Sequence, residues 1–173
     1  MIKISVVIPV LTGYQHLKNL LIAINKQTLQ PCEIIIVDSC SHTRVQELID
    51  DMHLEIPIHY HHEEKRAFPG KARNVGVAMA QFEYIAFLDC RTIPTENWLH
   101  HYSKIIKEQG VSMVVGSTKA LADSKIQWYL RAATYGTGCH STLPGTLIEK
   151  KLFERIGKFI ENLRMAEDQE WLQ

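Results

Sequence analysis

Stretches of β-branched and aliphatic residues alternate along the chain with stretches whose apolar positions recur every three or four residues. "IKISVVIPV" (2–10), "CEIIIVDS" (32–39) and "EYIAFLD" (83–89) are nearly continuous apolar runs, the pattern of strands buried on both faces of a parallel sheet. "IPIHYHH" (56–62) and "VSMVVGS" (111–117) predict two further strands, the first more polar. Between them, Leu17, Leu20, Leu21 and Ile24 fall at helical spacing, as do Ala72, Val75, Gly76 and Met79 within "PGKARNVGVAMA" (69–80). "TRVQELIDDM" (43–52) predicts a weakly amphipathic helix. "PTENWLHHYSKIIKEQG" (94–110) predicts another, with Thr95 as cap and Gly110 as stop. Beyond residue 117 the pattern loosens until "LIEKKLFERIG" (147–157), a short strand followed by a helix. Alternating strands and helices with no repeat period predict a single-domain α/β sandwich with a mostly parallel central sheet.

Such sheets bind ligands beyond the carboxyl ends of their strands. Three predicted strands end there in polar residues, at Thr12, Asp38 and Asp89. A lone acid at such a place often only caps a following helix, but two after two buried strands favour a site.

Composition narrows the partners. With 173 residues there is room for one full core, and 46% hydrophobic residues make the chain globular. Lysine plus arginine equal aspartate plus glutamate, 19 each, so bulk charge gives no reason to expect nucleic-acid binding. The cysteines Cys32, Cys40, Cys90 and Cys139 are scattered, and no signal peptide precedes the first strand, which fits a reduced, cytoplasmic setting. No apolar run reaches the ~18 residues needed to span a bilayer. Peripheral attachment at the inner membrane face stays open, because substrates can be lipid-linked. His59, His61 and His62 lack the spacing of a zinc motif and suit a solvated edge strand; His100 and His101 suit a helix surface.

"SVVIPV", "QTLQPCEIIIVDS", "PGKARNVGVAMAQFEYIAFLD" and "GKFIENLRMAEDQEW" occur in this order, from Ile4 to Trp171. Together they resemble the nucleotide-sugar-binding domain of the family 2 glycosyltransferases, which have the GT-A fold. The resemblance implies that Pro9, Val10 and Leu11 line a nucleobase pocket and that Asp38 accepts a base N–H, the base usually being uracil. Where the family continues with a glycine-containing turn, this chain has Ser39, Cys40 and Ser41. The "ARN" triplet Ala72, Arg73 and Asn74 is intact, and the family's arginine faces the nucleotide. Glu167 and Asp168 match a Glu-Asp pair on a loop before a helix, on the acceptor side; the aspartate is the family's general base, which deprotonates the acceptor hydroxyl. The implied partners are a nucleotide-sugar donor and a glycan or lipid-linked acceptor. Further helices usually follow in the family, so the chain is expected to be a domain shortened at its C-terminus.

One position departs from the family. Its third strand usually ends in Asp-x-Asp, the second acid chelating Mg2+ or Mn2+; here the triplet is Asp89-Cys90-Arg91. A guanidinium has no lone pair for a metal but makes bidentate bonds to phosphate. Three readings are open: Arg91 replaces the metal, a metal binds through Asp89, waters and phosphates while Arg91 turns away, or the site is degenerate and transfers nothing. "KIQWYLRAATYGTGCHSTLPGT" (125–146) corresponds to the acceptor border, with Trp128, Tyr129, Tyr135 and His140 as lining candidates and Gly145 beside the sugar. A loop over the core or a homodimer interface are the alternatives there. A non-catalytic nucleotide- or sugar-binding module with a degenerate metal site remains the runner-up function. A nucleotidyltransferase is disfavoured because "LTGYQHLK" (11–18) is not a glycine-rich basic loop.

Overall fold

The computed structural model describes residues 2–11, 14–39, 44–65, 67–122, 124–136, 138–164 and 167–172. Thr12, Cys40, Ser41 and the side chain of Tyr135 lie outside the described residues. The strands are β1 (Ile4–Val10), β2 (Glu33–Asp38), β3 (Ile58–His62), β4 (Tyr84–Phe87), β5 (Met113–Thr118) and β6 (His140–Glu149). The helices are α1 (Tyr14–Asn25), α2 (Arg44–Met52), α3 (Pro69–Met79), α4 (Trp98–Gln109), α5 (Lys125–Tyr135), α6 (Lys150–Ile156) and α7 (Glu167–Trp171).

The strands form one sheet in the order β3-β2-β1-β4-β6-β5. β1 is parallel to β2 and β4, and β2 to β3, whereas β6 runs antiparallel to both β4 and β5. The sheet is therefore mostly parallel, as the apolar runs predict, with β6 reversed. Alternate residues of the central strands serve two cores. Val6, Ile8, Ile34 and Ile36 pack with Leu17, Leu20 and Leu21 of α1 and Leu99 of α4. Val7, Ile35, Val37 and Phe87 pack on the other face with Ala72 and Val77 of α3 and with Phe153 and Phe159. These are the three layers of the expected sandwich.

α3 lies close against the sheet because Gly76 has no side chain: a Cβ there would stand 2.4 Å from Val7 Cγ1. Gly110 ends α4 in the left-handed conformation, φ 64°, as the spacing predicts. Thr95 is not the cap of that helix. Asn97 occupies the cap position without a side-chain bond, and the Thr95 carbonyl accepts from Trp98 N–H at 3.0 Å.

The second half differs most from expectation. Residues 125–135 form α5 instead of an irregular border, and β6 begins at His140, well before residue 147. Pro144 and Gly145 interrupt its alternation because β6 itself bulges there: between the pairs Val114–Leu147 and Gly116–Thr142, residues 143–146 of β6 stand opposite the single residue 115 of β5, and pairing resumes beyond. Gly145 has φ 92°, where an L-residue is strained.

Chain order sends β1 outward to β2 and β3 and then back to β4 on the other side of β1. The carboxyl ends of β1 and β4 thus flank the switch point, where open α/β sheets leave a crevice.

Candidate active site

β1 ends at this rim in Pro9 and Val10, with Leu11 following; Val10 is buried, and Pro9 and Leu11 are half-buried. Asp38 is the last residue of β2 and is fully buried. Its Oδ2 accepts a hydrogen bond from Tyr60 Oη at 3.0 Å, and His62 Nδ1 lies 3.9 Å from the same oxygen. Tyr60 and His62 reach it because β3 runs beside β2 with His62 opposite Asp38, and alternation turns both side chains to one face. Ser39 follows, also buried, and its Oγ has no hydrogen-bond partner among the described residues.

The three histidines of β3 each sit beside a different carboxylate: His59 near Glu33 at 3.1 Å, His61 near Glu63 at 3.3 Å, His62 near Asp38. Past the end of β3, a cleft of about 370 Å³ is lined by His61, His62, Glu63, Glu64, Lys65 and Lys71. Lys71, on the first turn of α3, donates to Glu63 at 2.7 Å, and that bond holds the Glu63 carboxyl below its ordinary pKa.

Arg73 is the centre of the constellation. It is the fifth residue of α3 and is 3% exposed. Its Nη2 donates to Asp89 Oδ1 at 2.7 Å and its Nη1 to Glu167 Oε1 at 2.5 Å. Burial by itself would lower the pKa of the guanidinium; the Asp89 carboxylate and then Glu167 more than offset this and hold it above its ordinary value. The guanidinium also stands 5.7 Å from the centre of the Phe159 ring. Its Nε–H is buried with no acceptor among the described residues.

The rest of the triplet is equally specific. Ala72 packs into the core. Asn74 accepts from Phe159 N–H at 3.0 Å and donates to the Phe159 carbonyl at 2.9 Å, so its side chain mimics a strand partner for the segment leading to α7. That segment is fixed further by rings: Trp171 lies 4.7 Å from Phe159 between ring centres, and its Nε1 donates to the Gly157 carbonyl at 2.9 Å.

Glu167 and Asp168 are the first two residues of α7. Glu167 is 4% exposed and turned inward to Arg73, whereas Asp168 is half-buried. The Glu-Asp pair thus divides into one buried and one half-buried carboxylate. Asp89 follows β4, and its side chain is 42% exposed. A turn follows it, closed by Thr92 N–H to the Asp89 carbonyl at 2.8 Å, with Cys90 buried and Arg91 exposed. Burial, then the neighbouring Asp89 charge, push the Cys90 thiol up.

Arg73 therefore brings Asp89 and the Glu167–Asp168 pair together, and Asp38 ends the strand next to β1 on the same rim. The other acceptor-side candidates lie on α5 and β6. Trp128 and Tyr129 are exposed on α5, and His140 is exposed at the start of β6. Gly145 is buried, its carbonyl accepting Trp98 Nε1–H at 2.8 Å. Tyr60 was not singled out from the sequence; the alternation of β3 that separates the histidines by face also carried it. Among the described residues no group of three or more His, Cys, Asp or Glu side chains converges as a metal site. The donor set beyond the end of β4 is one carboxylate, Asp89, already bonded to Arg73, with Arg91 two residues on; this is a poor fit for Mg2+ or Mn2+.

The glycosyltransferase GlyG of Streptococcus pneumoniae is 31% identical over 115 residues, 66% of this chain and 38% of that protein. The crystal structure of Staphylococcus aureus TarS 1–349 in complex with UDP-GlcNAc superposes with a TM-score of 0.75 at 20% identity, over 98% of this chain and 52% of that one. The mannosyltransferase PcManGT of Pyrobaculum calidifontis, in complex with GDP-Man and Mn2+, gives 0.72 at 18% identity, over 98% and 50%. The chain thus spans about half the length of those solved structures and less of GlyG. The family model described as glycosyl transferase family 2 matches residues 5–167, and the chain belongs to that family.

Proposed function

We propose that this domain binds a nucleotide-diphospho-sugar, with UDP as its nucleotide, and transfers the sugar with inversion to a hydroxyl of a glycan or lipid-linked glycan. The observation that carries the proposal is the Arg73 bridge, which holds a donor-side carboxylate and the base-bearing pair in one unit. The UDP-GlcNAc bound by TarS, a protein of the same fold, supports a uridine donor.

In this mechanism Pro9, Val10 and Leu11 bracket the nucleobase. Asp38 accepts its N–H while Tyr60 fixes the orientation of the carboxylate. Asp89 is anchored through Oδ1 and offers its other oxygen to the ribose hydroxyls. The Nε–H of Arg73 is a buried donor suited to a donor-substrate oxygen. Asp168 removes the proton of the acceptor hydroxyl as that oxygen attacks the anomeric carbon. The bond from that carbon to the diphosphate breaks on the opposite side, which inverts the centre. The diphosphate leaves with both electrons, and Arg91 supplies the positive charge that stabilises it. A divalent ion has no assigned step.

UDP release from a panel of UDP-sugars, with and without EDTA, tests this. Turnover that survives EDTA supports the role of Arg91; turnover abolished by EDTA and restored by Mn2+ overturns it. Asp168→Asn should keep UDP binding and lower turnover by roughly 10²–10⁴-fold, the usual worth of a general base. Because a single acid ends β4, a non-catalytic nucleotide-binding module is the second reading. UDP binding with no transfer from any donor would favour it.

A further inference from the structure

Every described residue from Ser124 to Leu130 is exposed. Leu121, Ile126, Tyr129 and Leu130 are 63% to 80% exposed, and Trp128 is 45% exposed. Ile126, Tyr129, Leu130 and Ala133 follow the i, i+3, i+4, i+7 rule, so α5 carries an apolar stripe of the kind that faces a core, yet turned to solvent. Among the described residues, no element packs extensively on it. What fixes α5 is local: Ser124 Oγ accepts Gln127 N–H at 3.2 Å, and Arg131 donates back to the Ala120 carbonyl at 2.7 Å. An isolated helix of this length, 11 residues, is marginal in water. Its outward stripe requires a cover.

The chemistry of the stripe selects the cover. Ile126, Leu130 and Leu121 cannot hydrogen-bond, so a glycan is a poor partner for them. Tyr129 pairs an apolar ring with a polar tip, which suits the boundary between water and acyl chains. From residue 119 to 148 the chain has one acid, Asp123, against Lys119, Lys125 and Arg131. Lys119 and Lys125 are both exposed, flanking the stripe. Aliphatic and aromatic residues on one face with lysines beside them match an anionic bilayer surface. A second copy would have to be held by one short helix, less area than stable interfaces bury. No helix among the described residues is long and apolar enough to cross a membrane, so the contact is one of lying on the surface.

We infer that α5 docks the domain on an anionic lipid surface, with Ile126, Tyr129 and Leu130 entering the headgroup–acyl boundary. β5 runs antiparallel to β6, and β6 antiparallel to β4, so β5 is parallel to β4. α5 therefore leaves the sheet from the rim that carries Asp89, and a docked domain turns its crevice toward the bilayer. The docking does not depend on the transfer chemistry and is measured without donor or acceptor.

The test is co-sedimentation of the chain with vesicles of phosphatidylcholine alone or with a phosphatidylglycerol fraction, beside Ile126→Ser/Leu130→Ser and Lys125→Glu. All three sites are exposed, and circular dichroism confirms that the variants fold. The wild type should partition onto the anionic vesicles and less onto neutral ones. The serine pair should partition about ten-fold less, in line with two lost apolar anchors, and Lys125→Glu should lose most of the preference for anionic lipid. Absence of wild-type partitioning, equal partitioning of the serine pair, or indifference to lipid charge each overturns the inference. A dimer that the serine pair dissolves, without vesicle binding, overturns it in favour of a second copy.

Discussion

Replacing Arg73 by Met removes the cation but leaves Glu167 where it is, its side chain 5% exposed and without a counter-charge. Breaking a buried pair from one side costs about 3–5 kcal/mol, a large part of the roughly 5–15 kcal/mol that stabilises a domain. With a urea slope of about 3 kcal/mol per molar, the midpoint falls by about 1–2 M. Asp89→Asn interrupts the same cation from its other side, but that carboxylate is 42% exposed, so water and salt screen it and the loss is about 0–1 kcal/mol. The decisive case is Arg73→Met/Glu167→Gln. Removing the stranded charge should make the double variant more stable than Arg73→Met alone, because contacting residues do not add. Urea unfolding followed by tryptophan fluorescence reads all of these, since Trp171 packs on Phe159 beside the bridge. A double variant less stable than Arg73→Met, or an Arg73→Met within about 1 kcal/mol of wild type, would refute the bridge as a buried ion pair.

Other consequences are open to direct measurement. Gly76→Ala places a Cβ 2.4 Å from Val7 Cγ1, on a stiff β-branched side chain. Overpacking of about 1–3 kcal/mol should lower Tm by roughly 2–12 °C, and an unchanged Tm would contradict the close approach of α3 to β1. Iodoacetamide should modify the exposed Cys139 well before Cys90, which is buried and whose thiol is pushed up; site-resolved mass spectrometry showing the reverse would count against that burial. Arg91→Asp restores a second acid at the strand end, so its UDP release should fall in EDTA and recover with Mn2+, unlike wild type. Equal metal response in both would remove Arg91 from the diphosphate.

The parts of the fold that were legible in the sequence are those whose residues bury in register. The runs at 2–10, 32–39 and 83–89 are apolar on both sides because the strands they form are covered on both faces, and Gly110 marks the end of α4 because little else adopts its backbone. α5 and β6 were not legible for the opposite reason. The stripe of α5 faces solvent and is only four residues long, and Trp128 adds an apolar residue on the opposite side, which blurs the periodicity. The first half of β6 is polar, and Pro144 with Gly145 breaks its period at the bulge. The site divides in the same way. Asp38 and Asp89 could be found because strand ends collect ligand-binding acids, and Asp168 through the family resemblance. The partnership of Arg73 with Glu167 spans 94 residues and depends on how α7 returns to α3, which no local pattern encodes. Tyr60 was visible only once β3 had a neighbour.

The clasp between Asn74 and the backbone of Phe159 has a mechanical consequence. With Arg73 one residue earlier gripping both Asp89 and Glu167, two neighbouring positions of one helix fasten the end of β4 and the segment leading into α7 to the same rod. Those parts have no hinge between them. Substitutions that must leave that rod undisturbed are therefore best begun on the first half of β6.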